Sequence, residues 1–324
     1  MSREPPVTIT KKTILIIILI LSSSLVYIVV TQTSPLITKT PPQEQEKILK
    51  VLTTFYPLYD FTNNIGGKRV DASILVPETV DVHAFEPSPS AIAKVADADL
   101  LIFNGVNLEP WVPQIVKAAN NPKLTLVDSS RGINLLLVPP QYQQNNQTYD
   151  PHIWLNPVDA KQQVNNILNS LIKADPADAD YFIANANSYQ IKLDSLNSKI
   201  VNITSYSKTR YFITFHEAFA YFAKQYNLTQ IPILGPFEDE PTPTDIQKAI
   251  NAIQLYHLCY VGYETLENPA ISKSIGSQTN VTLILIDTLE GLSTADQIAG
   301  KNYLILMDEN INRIGMALSN IGCN

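Results

Sequence analysis

Histidine is scarce in this chain, four residues in 324, and cysteine scarcer still, with two. Two cysteines are not a disulfide framework, and no C-x-x-C pattern exists for a zinc ribbon or a redox pair. Cys259 and Cys323 fall in the same C-terminal segment, so a single disulfide between them is compatible with the sequence and is left open. Positive charge is also short: 23 Lys and Arg against 30 Asp and Glu, net −7, pI about 5.1. A nucleic-acid binder would normally be basic, and that class is set aside. H-E-x-x-H and G-x-S-x-G are both missing, which removes the commonest zinc-protease and serine-hydrolase signatures.

Hydrophobic residues make up 45% of the chain, enough for a real core. One apolar stretch is terminal: Arg3, Lys11 and Lys12 precede a run from Ile14 to Val30. About 20 apolar residues cross a bilayer, and basic residues before such a run read as a signal anchor. Residues 1–30 are therefore expected to be a transmembrane segment, and 31–47, rich in Thr, Pro and Gln, an extended tether. No cysteine follows the run, so a lipid-modified cysteine is excluded there. The remainder is expected on the outer face of the cell membrane, or secreted if the segment is cleaved. Four N-x-[ST] sequons, at Asn146, Asn202, Asn227 and Asn280, are compatible with an external location, although chance explains each in so Asn-rich a chain.

Beyond the tether, short apolar strands alternate with helices. Ile48–Thr54, Ala72–Val76, Leu100–Phe103 and Leu124–Val127 read as strands. The intervening helices include Pro89–Ala96, with Ser88 as N-cap. This is the pattern of a parallel sheet covered by helices. A Pro/Gln/Asn loop at 139–149 interrupts it. A helix then runs to about Ala174, and a second from Ala177 to Ile203. In the second, Phe182, Ala186, Tyr189, Leu193, Leu196, Ile200 and Ile203 step by four and three, one apolar face over roughly 40 Å. Alternation resumes with strands at Tyr211–Phe215, Ile231–Leu234, Cys259–Tyr263 and Val281–Ile286, and a last helix from Tyr303 to Ile321. The predicted architecture is α/β: two doubly wound lobes, 48–176 and 207–324, joined by a long rigid backbone helix at 177–206. A coiled-coil dimer through that helix is the alternative, and the strands on both sides of it argue for the monomer.

In open α/β sheets, ligands bind beyond the carboxyl ends of the strands. His216 ends the strand YFITF, Asp287 follows VTLILI, His83 comes shortly after the strand ending at Val76, and His152 opens the segment after the 139–149 loop. A cleft between the lobes would bring all four together. Three imidazoles and one carboxylate form a tetrahedral set suited to Zn2+. The fourth histidine, His257, stands at the start of a strand and receives no role. A zinc hydrolase with Glu217 as base is the rival reading, and a filled fourth position argues against it. No catalytic residue is assigned.

Several segments then resemble a family. VDVHAFEPSPSAIAKVADADLLIFNGVNLEPW (80–111), DPHIWLNP (150–157), FHEAFAYFAKQYNL (215–228), GPFEDEPTPTDIQKAI (235–250), VGYETLENP (261–269) and LIDTLEGL (285–292) are similar to the zinc- and manganese-specific solute-binding proteins of ABC importers. The resemblance runs from about Lys50 to the C-terminus. It implies metal held between two lobes by His83, His152, His216 and Asp287, with Zn2+ as transported ligand in preference to Mn2+. It also implies an ABC permease as partner. VDVH replaces the family's more usual Asp-Pro-His, and the loop QYQQNNQTYD carries no histidine, so no accessory zinc-gathering loop is expected. A rigid connecting helix resists bending. The expected change on binding is therefore small and local, in the loops carrying His152 and Asp287.

Overall fold

The computed structural model describes residues 47–320, apart from 81, 144–147, 238–239 and 266–268. The predicted membrane segment, the tether, Cys323 and the sequon at Asn146 lie outside the described residues. Among the described residues no helix is long and apolar enough to cross a membrane. Cys259 is disulfide-bonded.

The N-terminal half is built on β1 (Leu49–Thr53), β2 (Val70–Ile74), β3 (Leu100–Phe103) and β4 (Thr125–Asp128). All pair in parallel, in the order β2-β1-β3-β4, with Val51 opposite both Ala72 and Leu100. Leu100, Leu101 and Ile102 are fully buried. Such continuous apolar runs are what a parallel sheet covered on both faces requires. The covering helices are α1 (Tyr56–Gly66), α2 (Pro89–Asp97) and α3 (Val112–Ala119). Ser88 caps α2 by accepting from Ala91 N at 3.3 Å, with Pro89 in the first turn, as the sequence predicts.

Two long helices follow, α4 (Pro157–Ala174) and α5 (Ala179–Ser205). A short 3-10 turn at Pro176–Asp178 separates them, which shifts the predicted start of α5 by two residues. The predicted stripe on α5 is buried from Phe182 to Ile200. It joins one continuous core drawn from both halves of the chain, so the stripe is consumed within the molecule and the coiled-coil alternative falls.

The C-terminal half holds β5 (Tyr211–His216), α6 (Ala220–Gln225), β6 (Thr229–Leu234), α7 (Pro243–Tyr256), β7 (Tyr260–Tyr263), α8 (Ala270–Thr279), β8 (Thr282–Leu285), α9 (Thr294–Ile298) and α10 (Tyr303–Ser319). Its strands form two parallel pairs, β5 with β6 and β7 with β8. The pairs lie side by side because Gly262 lets β7 approach the backbone of β5. A Cβ there would stand 2.8 Å from the Ile213 carbonyl oxygen. Helix α6 begins only at Ala220, which leaves His216 at a strand end with a short loop beyond it.

Candidate metal centre

His216 is the last residue of β5, and its backbone is fixed there. Its carbonyl accepts from Thr214 Oγ1 at 2.8 Å and from Gln230 Nε2 at 2.9 Å. Glu264, just past the end of β7, accepts from His216 N at 3.1 Å and faces Nδ1 at 2.9 Å with both carboxylate oxygens. His152 is fully buried at the start of the 3-10 turn Ile153–Leu155. Asp150 Oδ1 lies 2.8 Å from both its backbone N and its Nδ1. Each imidazole thus gives its Nδ1 proton to a carboxylate, and its Nε2 is left with a lone pair.

The three Nε2 atoms converge with one carboxylate oxygen. His152 Nε2 stands 3.3 Å from His83 Nε2 and 3.3 Å from His216 Nε2. Glu290 Oε1 lies 3.5 Å from His83 Nε2, 3.5 Å from His152 Nε2 and 3.7 Å from His216 Nε2. A tetrahedral ion with ligand bonds of about 2.0–2.2 Å separates its ligands by about 3.3–3.6 Å. Four of these five distances fall in that range and the fifth, 3.7 Å, lies just beyond it. Glu290 Oε1 is buried without a hydrogen-bond partner. Lone pairs facing one another beside a buried carboxylate oxygen are repulsive and undersolvated unless a cation or protons stand among them.

The fourth member of the group is Glu290, not the predicted Asp287; the four residues His83, His152, His216 and Glu290 form the cluster. Asp287 does stand two residues beyond the end of β8, near where the strand-end rule points, but its groups are engaged in folding the loop. Its backbone N donates to Asn310 Oδ1 at 2.9 Å, and its carbonyl accepts from Asn310 Nδ2 at 2.6 Å. Its carboxylate accepts from Thr265 Oγ1 and from Leu289 N, the latter at 2.7 Å. The chain then turns through Leu289, fully buried at φ +57. A bulky residue in the left-handed region is strained, and here the turn carries Glu290 inward. The segment DTLEGL offers two carboxylates to a reader of the sequence. Only the backbone turn decides between them.

His257 stays outside the cluster, as a left-handed residue ending α7 at φ 50. Glu217 is not a member either. The loop carrying His152 is the opposite of loose. Tyr221 OH donates to Asp150 O at 2.7 Å, Trp154 Nε1 to Thr288 O at 2.8 Å, and Tyr303 OH to Trp154 O at 2.5 Å. Three residues of the C-terminal half thus grip this segment. Of the four donors His83 is the most exposed, with 20% of its side chain accessible. The sequence places the local change on binding in the loops carrying His152 and Asp287; the greater exposure of His83 adds its loop to the candidates.

Electrostatics place protons and metal in competition for the same atoms. Burial pushes the His216 imidazole down, but the charge of Glu264, the hydrogen bond to it and the nearby negative charge of Glu290 raise it well above its ordinary value. His152 behaves likewise: burial lowers it, and Asp150 outweighs burial, so it is raised. Burial works against the Glu290 charge, yet His83 and contacts from His152 and His216 hold it well below the usual carboxylate range. A histidine raised on folding contributes stability that is full below about pH 6.5 and lost as pH rises through its folded value. Zinc requires the neutral imidazole. The stabilisation gained on adding zinc should therefore be small at pH 5 and grow toward pH 8, where about 10 °C is expected at a thousandfold excess over the dissociation constant. Paired melting curves with and without zinc measure it, and a gain independent of pH would mean that the histidines are not the ligands.

Fold and site together define a two-halved α/β protein with a preformed tetrahedral donor set, fully protein-derived, at strand and loop ends facing one another across its middle. The chain belongs to the family described as "ZnuA: Zinc-uptake complex component A periplasmic", which residues 51–317 match. It is 32% identical over 275 residues to the "High-affinity zinc uptake system protein ZnuA" of Bacillus subtilis (strain 168), covering 82% of this chain and 86% of that one. It is 33% identical over 286 residues to the "Zinc-binding protein AdcA" of Streptococcus pyogenes, and there the match covers 55% of the relative, so the chain spans about half the length of AdcA. The crystal structure of the "Zn(II)-bound ZnuA-like domain of Streptococcus pneumoniae AdcA" superposes with a TM-score of 0.74 at 30% identity, covering 84% of this chain and 99% of that one.

Proposed function

We propose that this protein is the extracytoplasmic receptor of an ABC importer, which captures Zn2+ at His83, His152, His216 and Glu290 and delivers it to a membrane permease. The observation that carries the reading is the spacing of three imidazole Nε2 atoms and one buried carboxylate oxygen, close to that of the corners of a zinc-sized tetrahedron. Relatives named for zinc uptake and zinc binding support the choice of cargo. Four protein donors leave no open position for the water that a zinc hydrolase activates, which favours capture over catalysis. The run Ile14–Val30, with Arg3, Lys11 and Lys12 before it, would tether the chain to the outer face of the membrane.

The donor set also argues for zinc over manganese. Manganese prefers oxygen ligands and higher coordination, whereas three imidazoles suit zinc. In a competition titration Zn2+ should displace Mn2+, and His216→Glu should move the preference toward Mn2+. Equal or tighter Mn2+ binding by the unaltered protein would overturn the zinc reading. Metal analysis of protein purified without chelator gives the companion result, with zinc as the expected bound ion.

A further inference from the structure

Away from the four donors, another buried carboxylate is built into the N-terminal half. Glu109 is 5% exposed, in the segment between β3 and α3. Its Oε1 accepts from Thr54 Oγ1 at 2.6 Å and from Asn104 N at 2.8 Å, and its Oε2 accepts from Gly105 N at 3.2 Å. Burial pushes the carboxyl up to about 7, against the pull of those hydrogen bonds. The backbone held in this way is sharply bent. Gly105, Val106 and Asn107 have φ of 83, 54 and 62 in succession. A β-branched residue is rarely found there and persists only where its surroundings over-determine it. Gly105 must be glycine for a second reason, since a Cβ would run into the Asp128 carboxylate.

Both ends of the bend lead to metal ligands. Before it, Asn104 Nδ2 donates to Pro151 O at 2.9 Å, one residue ahead of His152. Asn104 is itself held, its Oδ1 accepting from Gln163 Nε2 at 3.1 Å. After it, Trp111 packs edge-on against Phe85, ring centroids 5.1 Å apart, two residues beyond His83. One short segment therefore touches the carriers of both ligands supplied by the N-terminal half, and one carboxylate pins that segment.

We infer that Glu109 is a positioning residue for the metal: through the left-handed bend it holds the His152 and His83 segments at the spacing the ion needs. The inference rests on the four-ligand reading above. It needs a carboxylate and not its isostere. Each oxygen of Glu109 accepts a backbone N–H, whereas glutamine offers one acceptor and would set a buried N–H against the second donor.

The test compares Glu109→Gln and Thr54→Val with a core control, Val164→Ala, which removes packing at a fully buried site without touching the polar network. Zinc affinity is read by chelator competition, and site geometry by the visible absorption of the Co2+-loaded protein at saturating metal. Glu109→Gln should lower zinc affinity roughly tenfold and weaken or shift the Co2+ bands. Thr54→Val, which removes one of three donors, should move both in the same direction by less. Val164→Ala should lower the melting temperature and leave both unchanged. If Glu109→Gln fails to fold, Thr54→Val decides alone. The inference is overturned if the two polar variants lower only the melting temperature, with affinity and Co2+ spectrum matching the unaltered protein. Should the unaltered protein give no tetrahedral Co2+ spectrum, the ligand reading itself fails and takes the inference with it.

Discussion

Replacing His152 with alanine is expected to lower zinc affinity by about two to three orders of magnitude. His152 is the vertex closest to the rest, with Nε2 3.3 Å from each of the other two imidazoles and 3.5 Å from Glu290. A four-ligand zinc site binds with roughly 10–16 kcal/mol, so one ligand carries about 3–4 kcal/mol. At about 1.4 kcal/mol per tenfold, that is a factor of roughly 100–1,000. The loss should not come from unfolding. The segment remains gripped through Trp154, Tyr303 and Thr288. His257→Ala is the matched control, since that side chain stands outside the cluster, and it should leave affinity unchanged. Chelator competition on the two variants checks the expectation. A His152→Ala protein within threefold of the parent would show that the ion binds elsewhere.

The second large effect separates the two carboxylates of one loop. Glu290→Gln should weaken zinc binding by about 100-fold, because a neutral amide oxygen replaces the only anionic donor among the four. Asp287→Asn should leave affinity within about threefold. Its side chain accepts from Leu289 N and Thr265 Oγ1, and an amide can keep both partners, since the hydroxyl of Thr265 can accept as well as donate. The loop that presents Glu290 would therefore survive. The reverse ranking would restore Asp287 as ligand and undo the geometry described here.

That loop also marks how far the sequence can be read. The buried strands and the α5 face follow from periodicity, because period-matched burial is a local property of the chain. Three of the four cluster members were accessible through scarcity: with four histidines in 324 residues, their positions near strand ends narrow the choice sharply. Glu290 was not, because the strand-end rule points to Asp287 and only a left-handed leucine two residues later turns Glu290 inward. The partners of the imidazoles divide the same way. Asp150 stands two residues from His152 and is visible in D-P-H. Glu264 lies 48 residues from His216 and meets it only because β5 and β7 pack side by side. The bend at 105–107 is legible at Gly105 and more weakly at Asn107; nothing in Val106 announces three left-handed residues in a row, which form where the Glu109 carboxylate accepts from Asn104 N and Gly105 N. The exposure of His83 against the burial of His152 likewise depends on Tyr221, Trp154 and Tyr303 meeting across the two halves of the chain.

The central claim is that Zn2+ sits among His83, His152, His216 and Glu290 with four protein donors and no water. Anomalous diffraction at the zinc edge from crystals of the zinc-loaded protein tests it most directly. The account predicts one strong peak, about 2.0–2.2 Å from the three Nε2 atoms and from a Glu290 carboxylate oxygen. A peak bound by Asp287 in place of Glu290, or one completed by a water molecule with Glu290 turned away, would contradict it.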